Sequence, residues 1–411
     1  MKVVHVAPFV EPGYTGGMQR YVMELAREQR CAGVDASVYT VRIGEPLPLA
    51  PSPLAERGDR IDVPDVDVPV TGRKASVVWQ RTPLHPMLVS DLGTIEADVV
   101  NLHSPSPTLE MALLIAHGRR GWKASATGGA GGMGGTGGKR LVVTVHNDLP
   151  RTTRVQRALG GLERRVLARV LRSADAVIMP HEAFAADVAP RFGFELPLSV
   201  NGRLPRSEAA EGVGRGVSPR LRIVPPGVDH TRFRDLGLQR DSDTVLFVGH
   251  VRPEKGLHVL VEAMALLPQR RLEVIAAVSY ESKYYASVRR QAALLLGGRV
   301  FFRENTPAAE IEEAYNRAGV VVAPSLGLES WNLVLLEAAS TGAACVRTDL
   351  PGMWWADFAI EAKAGDVASL AIAIEDATAR SEELGCWGKQ RAHEYSWERT
   401  CRETLAAYVA A

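Results

Sequence analysis

The sequence predicts an α/β protein built from two doubly wound domains facing each other across a cleft. Three observations carry that expectation. A short Val/Ile-rich run, a glycine- or proline-bearing loop and an amphipathic helix recur in that order along the chain. Near-continuous apolar strands alternating with helices belong in parallel sheets covered on both faces. The series occurs twice, before and after a polar, glycine-bearing stretch from Asn201 to Asp243, and a length of 411 residues suits two or three domains.

In chain order, the apolar runs of the first half are Val3–Val6, Ala36–Val41, Asp98–Leu102, Leu141–Val145, Ala176–Met179 and Arg222–Val224. Those of the second half are Thr244–Val248, Leu272–Ala276 and Val320–Ala323. The tract Ala124–Gly138 is too glycine-rich for regular structure and reads as a flexible loop; Asn201–Gly216 reads as exposed loop. From Gly388 to Ala411 the pattern is helical, with Tyr395, Trp397, Leu405 and Tyr408 as apolar positions free to pack on either domain. The expected division is 1–228 and 229–394, with the segment 395–411 returning to the first domain.

Composition excludes several classes. A formal net charge of +1 gives no global attraction to nucleic acid or anionic membrane. Four scattered cysteines, with no CxxC and no histidine at ligand spacing, form neither a disulfide framework nor a zinc site, and suit a reducing cytoplasm. The start of the chain reads as a buried strand rather than a secretory signal, and no apolar run approaches the roughly 18 residues of a membrane span. Arginine outnumbers lysine 40 to 8, as expected of a GC-rich bacterial genome.

The segment Pro324–Ala338 carries the strongest chemical signal. A strand runs into a loop, and a helix is expected to begin at or just after Glu329. On a helix, the eight residues to Glu337 advance about 12 Å and separate the side chains by about 80°. One carboxylate then sits near each end of a ligand lying across a helix N-terminus. The amides of Trp331, Asn332 and Leu333 offer a diphosphate site between them. Carboxylates accept paired hydrogen bonds from vicinal hydroxyls, so sugar at one end and ribose at the other is the natural reading. The plainer alternative makes Glu329 a helix-end residue and Glu337 a solvated one.

This segment resembles the E-x7-E motif of the family 4 retaining glycosyltransferases, which have two Rossmann-like domains (the GT-B architecture). Ile223-Val224-Pro225-Pro226-Gly227-Val228-Asp229 with Phe233 is similar to that family's entry to the second domain. Phe247–Leu257, containing Gly249-His250-Val251-Arg252-Pro253-Glu254-Lys255-Gly256, resembles its phosphate loop. Gly16-Gly17-Met18-Gln19-Arg20-Tyr21-Val22 resembles its first loop, and Asp98–His103 and Val143–Asn147 match two further strand ends.

The resemblance implies a role for each matched residue. Lys255 neutralises the donor diphosphate, Glu337 binds the ribose and Glu329 the donor sugar, with Ser330, Trp331, Asn332 and Leu333 around them. Gly16 and Gly17 let the first loop approach the sugar phosphate. His146 lies beside the transferred sugar, which makes His146, Glu329 and Lys255 the expected catalytic residues; His103 is either structural or an acceptor contact. Three departures stand out. His250 replaces the usual arginine, leaving Arg252 to reach the phosphates and making their binding weaker or more pH-sensitive. Ser330-Trp331-Asn332 replaces a small, flexible sequence and sets an indole beside the sugar, and Ala277-Val278-Ser279 replaces a glycine-rich strand end.

The reaction implied is transfer of a hexose-type sugar from a nucleotide-sugar co-substrate to a small-molecule, lipid or glycan acceptor. It proceeds with retention and without cofactor or metal, in a cytoplasmic monomer or homodimer. No general base is needed if the leaving phosphate takes the acceptor's proton. Asp65-Val66-Asp67 has the look of a metal-binding D-x-D, but it lies among prolines and is read as an edge strand or loop. A catalytically impaired nucleotide-sugar-binding protein is the second reading. A nicotinamide oxidoreductase is disfavoured because Gly13–Gly17 lacks the G-x-G-x-x-G turn, and Gly137-Gly138-Lys139-Arg140 fails as a phosphate loop. Arginines along Arg151–Asp175 read as a solvated face, with peripheral membrane contact as the alternative.

Overall fold

A computed structural model describes residues 1–10, 16–42, 68–79, 82–120, 139–147, 154–192, 221–277, 283–304, 306–327 and 329–410. The Asp65–Asp67 motif, the tracts 124–138 and 201–216, Val278-Ser279 and Arg151 lie outside them. The chain divides into two compact units. Among the described residues, one holds those up to Pro225 and those from Glu398 onward; the other holds those from Pro226 to Trp397.

In the first unit the described residues form a parallel sheet of β1 (Lys2–Pro8), β2 (Asp35–Arg42), β3 (Val70–Lys74), β6 (Val99–Ser104), β7 (Arg140–Val145), β8 (Ala176–Met179) and β9 (Leu221–Ile223). Its order is β3-β2-β1-β6-β7-β8-β9, so the winding reverses between β1 and β6. A small antiparallel pair, β4 (Val77–Trp79) and β5 (Thr82–Leu84), stands apart from this sheet. Strands β6 and β8 are buried at every position, as the apolar runs require when helices cover both faces. Helices α2 (Leu88–Thr94), α3 (Pro107–Arg120), α4 (Arg154–Ser173) and α5 (Glu182–Val188) contribute to the core on one face. The other face is covered by α1 (Gly17–Cys31) and by α12 (Trp397–Val409), which buries Ala407 and Tyr408 against Val3, Val99 and Val142.

The second unit repeats the plan. Its parallel sheet contains β10 (Asp241–His250), β11 (Arg271–Ala277), β12 (Val300–Glu304), β13 (Ala318–Ala323), β14 (Ala344–Thr348) and β15 (Ile360–Ala362). The order β12-β11-β10-β13-β14-β15 reverses between β10 and β13. Helices α6 (Leu257–Ala265), α7 (Lys283–Leu296) and α10 (Val367–Ala379) pack one face; α8 (Ala308–Arg317) and α9 (Leu333–Ser340) pack the other. Both α6 and α9 are apolar almost all round, the mark of helices sealed in a core.

The C-terminal segment differs from the single helix read in the sequence. Helix α11 (Ser381–Ala392) ends before His393, and α12 begins at Trp397. Between them the backbone is held elsewhere: Val228 N–H donates to Tyr395 O at 3.3 Å, and Val228 bridges Ser396. No described helix is long and apolar enough to cross a membrane.

Candidate functional site

Doubly wound sheets place ligands outside the carboxyl ends of the strands, where the winding reverses. In the second unit that point receives the loops after β10 and β13. Strand β10 ends at His250; Arg252 then caps a 3₁₀ turn, Pro253–Lys255, and Gly256 starts α6 in the left-handed region at φ +69°. A Cβ on Gly256 would lie 1.9 Å from Pro324 O, and Leu326 N–H donates to Glu254 O at 2.8 Å. The two loops are thereby locked together, and only glycine permits the approach.

This lock brings Lys255 to Glu329. The ammonium lies 2.5 Å from Glu329 Oε1, and Ser325 Oγ donates to the same oxygen at 2.5 Å. Ser325 is steadied in turn by Thr348 Oγ1, which donates to its carbonyl at 2.7 Å. From above, Gly352 presses on the backbone of Glu329 so closely that a Cβ would meet Glu329 O at 1.9 Å. The Glu329 side chain is 3% exposed whereas that of Lys255 is 34% exposed. A lysine has three N–H donors, so the ammonium holds its carboxylate and still offers positive charge to a second anion.

Helix α9 corrects the sequence reading. It begins at Leu333, not at Glu329, with Asn332 as N-cap accepting from Leu335 N–H at 3.2 Å. Asparagine is a strong cap, and the preceding Trp331 indole is drawn away into a stack on Trp355 (3.9 Å between centroids, 9° between planes) with Tyr395 edge-on. The eight-residue helical spacing therefore does not describe the pair: Glu337 alone is helical, and Glu329 sits in the loop. The amides of Asn332, Leu333 and Val334 are left without an intrahelical partner, since that of Leu335 is met by the Asn332 side chain. Trp331 is not a free-standing wall beside a sugar, because its ring is committed to the aromatic stack. Ser330 is buried.

Glu337 is not a solvated residue. It is buried, and the hydroxyl of the fully buried Tyr315 on α8 donates to its Oε2 at 2.8 Å. Tyr315 went unnoticed in the sequence, where a tyrosine at an apolar helical position reads as core.

In the first unit, Gly16 caps α1 in an extended conformation, and a Cβ on Gly17 would meet nothing within 4 Å. Neither a turn nor internal crowding requires glycine at Gly17. His146 follows the end of β7 and is partly exposed. Its Nε2 lies 2.8 Å from His103 Nδ1, and His103 Nε2 lies 2.9 Å from His5 Nδ1. His103 is fully buried with both nitrogens engaged. Of the two roles expected of His103, the structural one fits this burial and the acceptor contact does not. Burial lowers all three imidazoles, His5 to about 4, His146 to about 3 and His103 well below its usual value, so the row is neutral near pH 7. Among the described residues no three His, Cys, Asp or Glu side chains gather as a metal site.

Comparison with known proteins matches both units. Residues 229–372 match the sequence model of the glycosyl transferases group 1, and residues 15–200 that of Glycosyltransferase Family 4. A D-inositol 3-phosphate glycosyltransferase of Geodermatophilus obscurus is 28% identical over 99% of this chain and 88% of its own. The enzyme of the same name from Arthrobacter sp. is 27% identical over 99% and 94%. Among solved structures, sucrose-phosphate synthase from Thermosynechococcus elongatus superposes with a TM-score of 0.70 at 18% identity, covering 100% of this chain and 98% of that one. Anabaena HepE, solved in complex with UDP-glucose, gives 0.66 at 18% identity over 99% and 100%. With both Rossmann-like units matched in chain order, this protein belongs to the family 4, group 1 glycosyltransferases of the GT-B fold.

Proposed function

We propose that this glycosyltransferase moves a hexose-type sugar from a uridine-diphosphate donor to a small polyhydroxylated acceptor of the inositol-phosphate kind, with retention and without a metal. The observation that carries the proposal is the Lys255–Glu329–Ser325 cluster at the winding reversal, followed along the chain by α9 and its buried Glu337. A partly exposed cation, in the same unit as the N-terminus of α9, suits a diphosphate. A carboxylate fixed by Tyr315 suits ribose hydroxyls, and Glu329 suits those of the sugar. The names of the full-length relatives and the UDP-glucose complex of HepE support the choice of acceptor and donor.

In this reaction the bond from the sugar's anomeric carbon to the diphosphate breaks, and a bond from the same face to an acceptor oxygen forms. The acceptor's hydroxyl proton passes to the departing phosphate. Lys255, Arg252 and the α9 amides stabilise the charge that develops there, while Glu329 orients the sugar. His250 and Arg252 would share the work of the family's usual arginine.

A thermal-shift screen against UDP, GDP, dTDP and ADP sugars tests the donor, because a ligand raises the melting temperature according to its affinity. A UDP-sugar should give the largest shift and then support transfer to D-inositol 3-phosphate, with an α-linked product and undiminished rate in excess chelator. A larger shift from another nucleotide, an inverted product or chelator-sensitive transfer would each overturn the corresponding part.

A further inference from the structure

We infer that Ser325 and Thr348 are positioning residues for the donor sugar: they hold Glu329 so that its Oε1 is engaged by the protein and its Oε2 accepts from one sugar hydroxyl. This deepens the proposed role of Glu329 and rests on it. Every residue involved lies in the second unit.

The two donors to Glu329 converge on one atom. Lys255 Nζ and Ser325 Oγ both lie 2.5 Å from Oε1. No described donor reaches Oε2, and that oxygen keeps contact with solvent although the side chain is only 3% exposed. A carboxylate only accepts, and its two oxygens offer about four lone-pair sites. A hydroxyl arriving at Oε2 therefore finds an acceptor already fixed in place and displaces no protein partner.

The carboxylate is fixed from outside its own loop. Ser325 is 1% exposed and stands two residues past the end of β13, and Thr348 is 2% exposed at the end of β14. The two strands pair in parallel with Ala323 opposite Arg347, so the sheet itself sets Ser325 beside Thr348, whose Oγ1 donates to the Ser325 carbonyl at 2.7 Å. Gly352 then closes on the Glu329 backbone, where a Cβ would meet Glu329 O at 1.9 Å. A buried hydroxyl can be satisfied by many acceptors, and one that served the fold alone has no need of the oxygen that Lys255 already holds. The double hold matters once an anion binds. The Lys255 ammonium is 34% exposed and, in the proposed reaction, is shared with the diphosphate, so its grip on Glu329 loosens when the donor is present. The buried Ser325 hydroxyl keeps Oε1 anchored throughout, and Oε2 keeps its aim.

The test is equilibrium binding of UDP, UDP-glucose and the monodeoxy analogues of UDP-glucose to the full chain, for wild type, Glu329→Gln, Ser325→Ala and Thr348→Val. Wild type should prefer UDP-glucose to at least one deoxy analogue. The hydroxyl that meets Glu329 is the one whose preference falls furthest in Glu329→Gln. For that hydroxyl, Ser325→Ala should lower the preference about three- to tenfold while the affinity for UDP stays nearly unchanged. Thr348→Val, which removes only the support of Ser325, should act in the same direction and less, and it carries the test if Ser325→Ala fails to fold. A purely structural role would weaken UDP, UDP-glucose and every analogue alike. That uniform loss, or a full preference retained in both Ser325→Ala and Thr348→Val, would overturn the inference. Failure of the donor reading beneath it looks different: wild type would not bind UDP-glucose, or Glu329→Gln would leave every preference intact, and the inference would fall with it.

Discussion

Lys255→Ala is expected to lower kcat for sugar transfer on the order of 10²–10³-fold, the usual cost of removing one donor aimed at developing charge. Two losses combine. The departing diphosphate loses its cation, and Glu329 is left with Ser325 as its remaining side-chain partner in a site where its carboxylate is 3% exposed. Stranding a buried charge is costly, although the ammonium is 34% exposed and solvent screening reduces the penalty to about 2–3 kcal/mol. Lys255→Ala should therefore melt earlier than wild type as well as react slowly. Adding Glu329→Gln should recover stability but not rate, because the stranded charge is gone while the diphosphate still lacks its partner. Recovery of rate in the double variant would contradict a direct role in transfer for either side chain.

Acid is expected to unfold the first unit with unusual steepness. The imidazoles of His5 and His103, both buried, and of the partly exposed His146 are neutral in the native state near pH 7, and their pKa values lie below the unfolded value near 6.5. Below that pH the unfolded chain takes up protons that the native chain refuses. Stability is thus fully present above about pH 6.5 and lost as pH falls toward 4. Each imidazole held low in this way steepens the loss, by at most about 1.4 kcal/mol per pH unit in that window. His181 adds to the slope: its ring, lowered to about 4 by burial, accepts from Ala183 N–H at 3.2 Å to cap α5. Urea melts at pH 7.5, 6 and 5 check this, and His5→Gln should flatten the dependence by about one imidazole's share. A dependence unchanged by His5→Gln would remove His5 from the account.

What the sequence revealed depended on how local each feature is. Strands such as β1 and β13 are valine-rich runs whose burial follows from composition, and the buried centre of β10, Val245–Phe247, reads the same way. Short β15, with Glu361 at its centre, carries no such signal and is a strand because β14 pairs with it. The segment around Glu329 was legible as a candidate site, but its helix start was not. Asn332 competes with Glu329 as cap, and the stack that draws Trp331 away comes from Trp355, which no local pattern announces. Tyr315 reaches Glu337 from another helix, and Gln29 reaches Tyr408 across almost the whole chain. In the sequence these are ordinary tyrosines and a glutamine; only the packing of α8, α1 and α12 makes them partners. His103 illustrates the reverse case, since its position at a strand end suggested ligand contact and its burial removes it.

The central claim is that the buried carboxylates of the second unit divide the donor between them, Glu337 holding the nucleotide and Glu329 the sugar. Calorimetric titration of the best-stabilising nucleoside diphosphate, lacking its sugar, into wild type, Glu337→Gln and Glu329→Gln tests this directly. Glu337→Gln should bind about 10–100-fold more weakly, the worth of a hydrogen bond to a charged group. Glu329→Gln should bind almost as wild type does while losing transfer. Wild-type affinity in Glu337→Gln, or an equal loss in both variants, would contradict it.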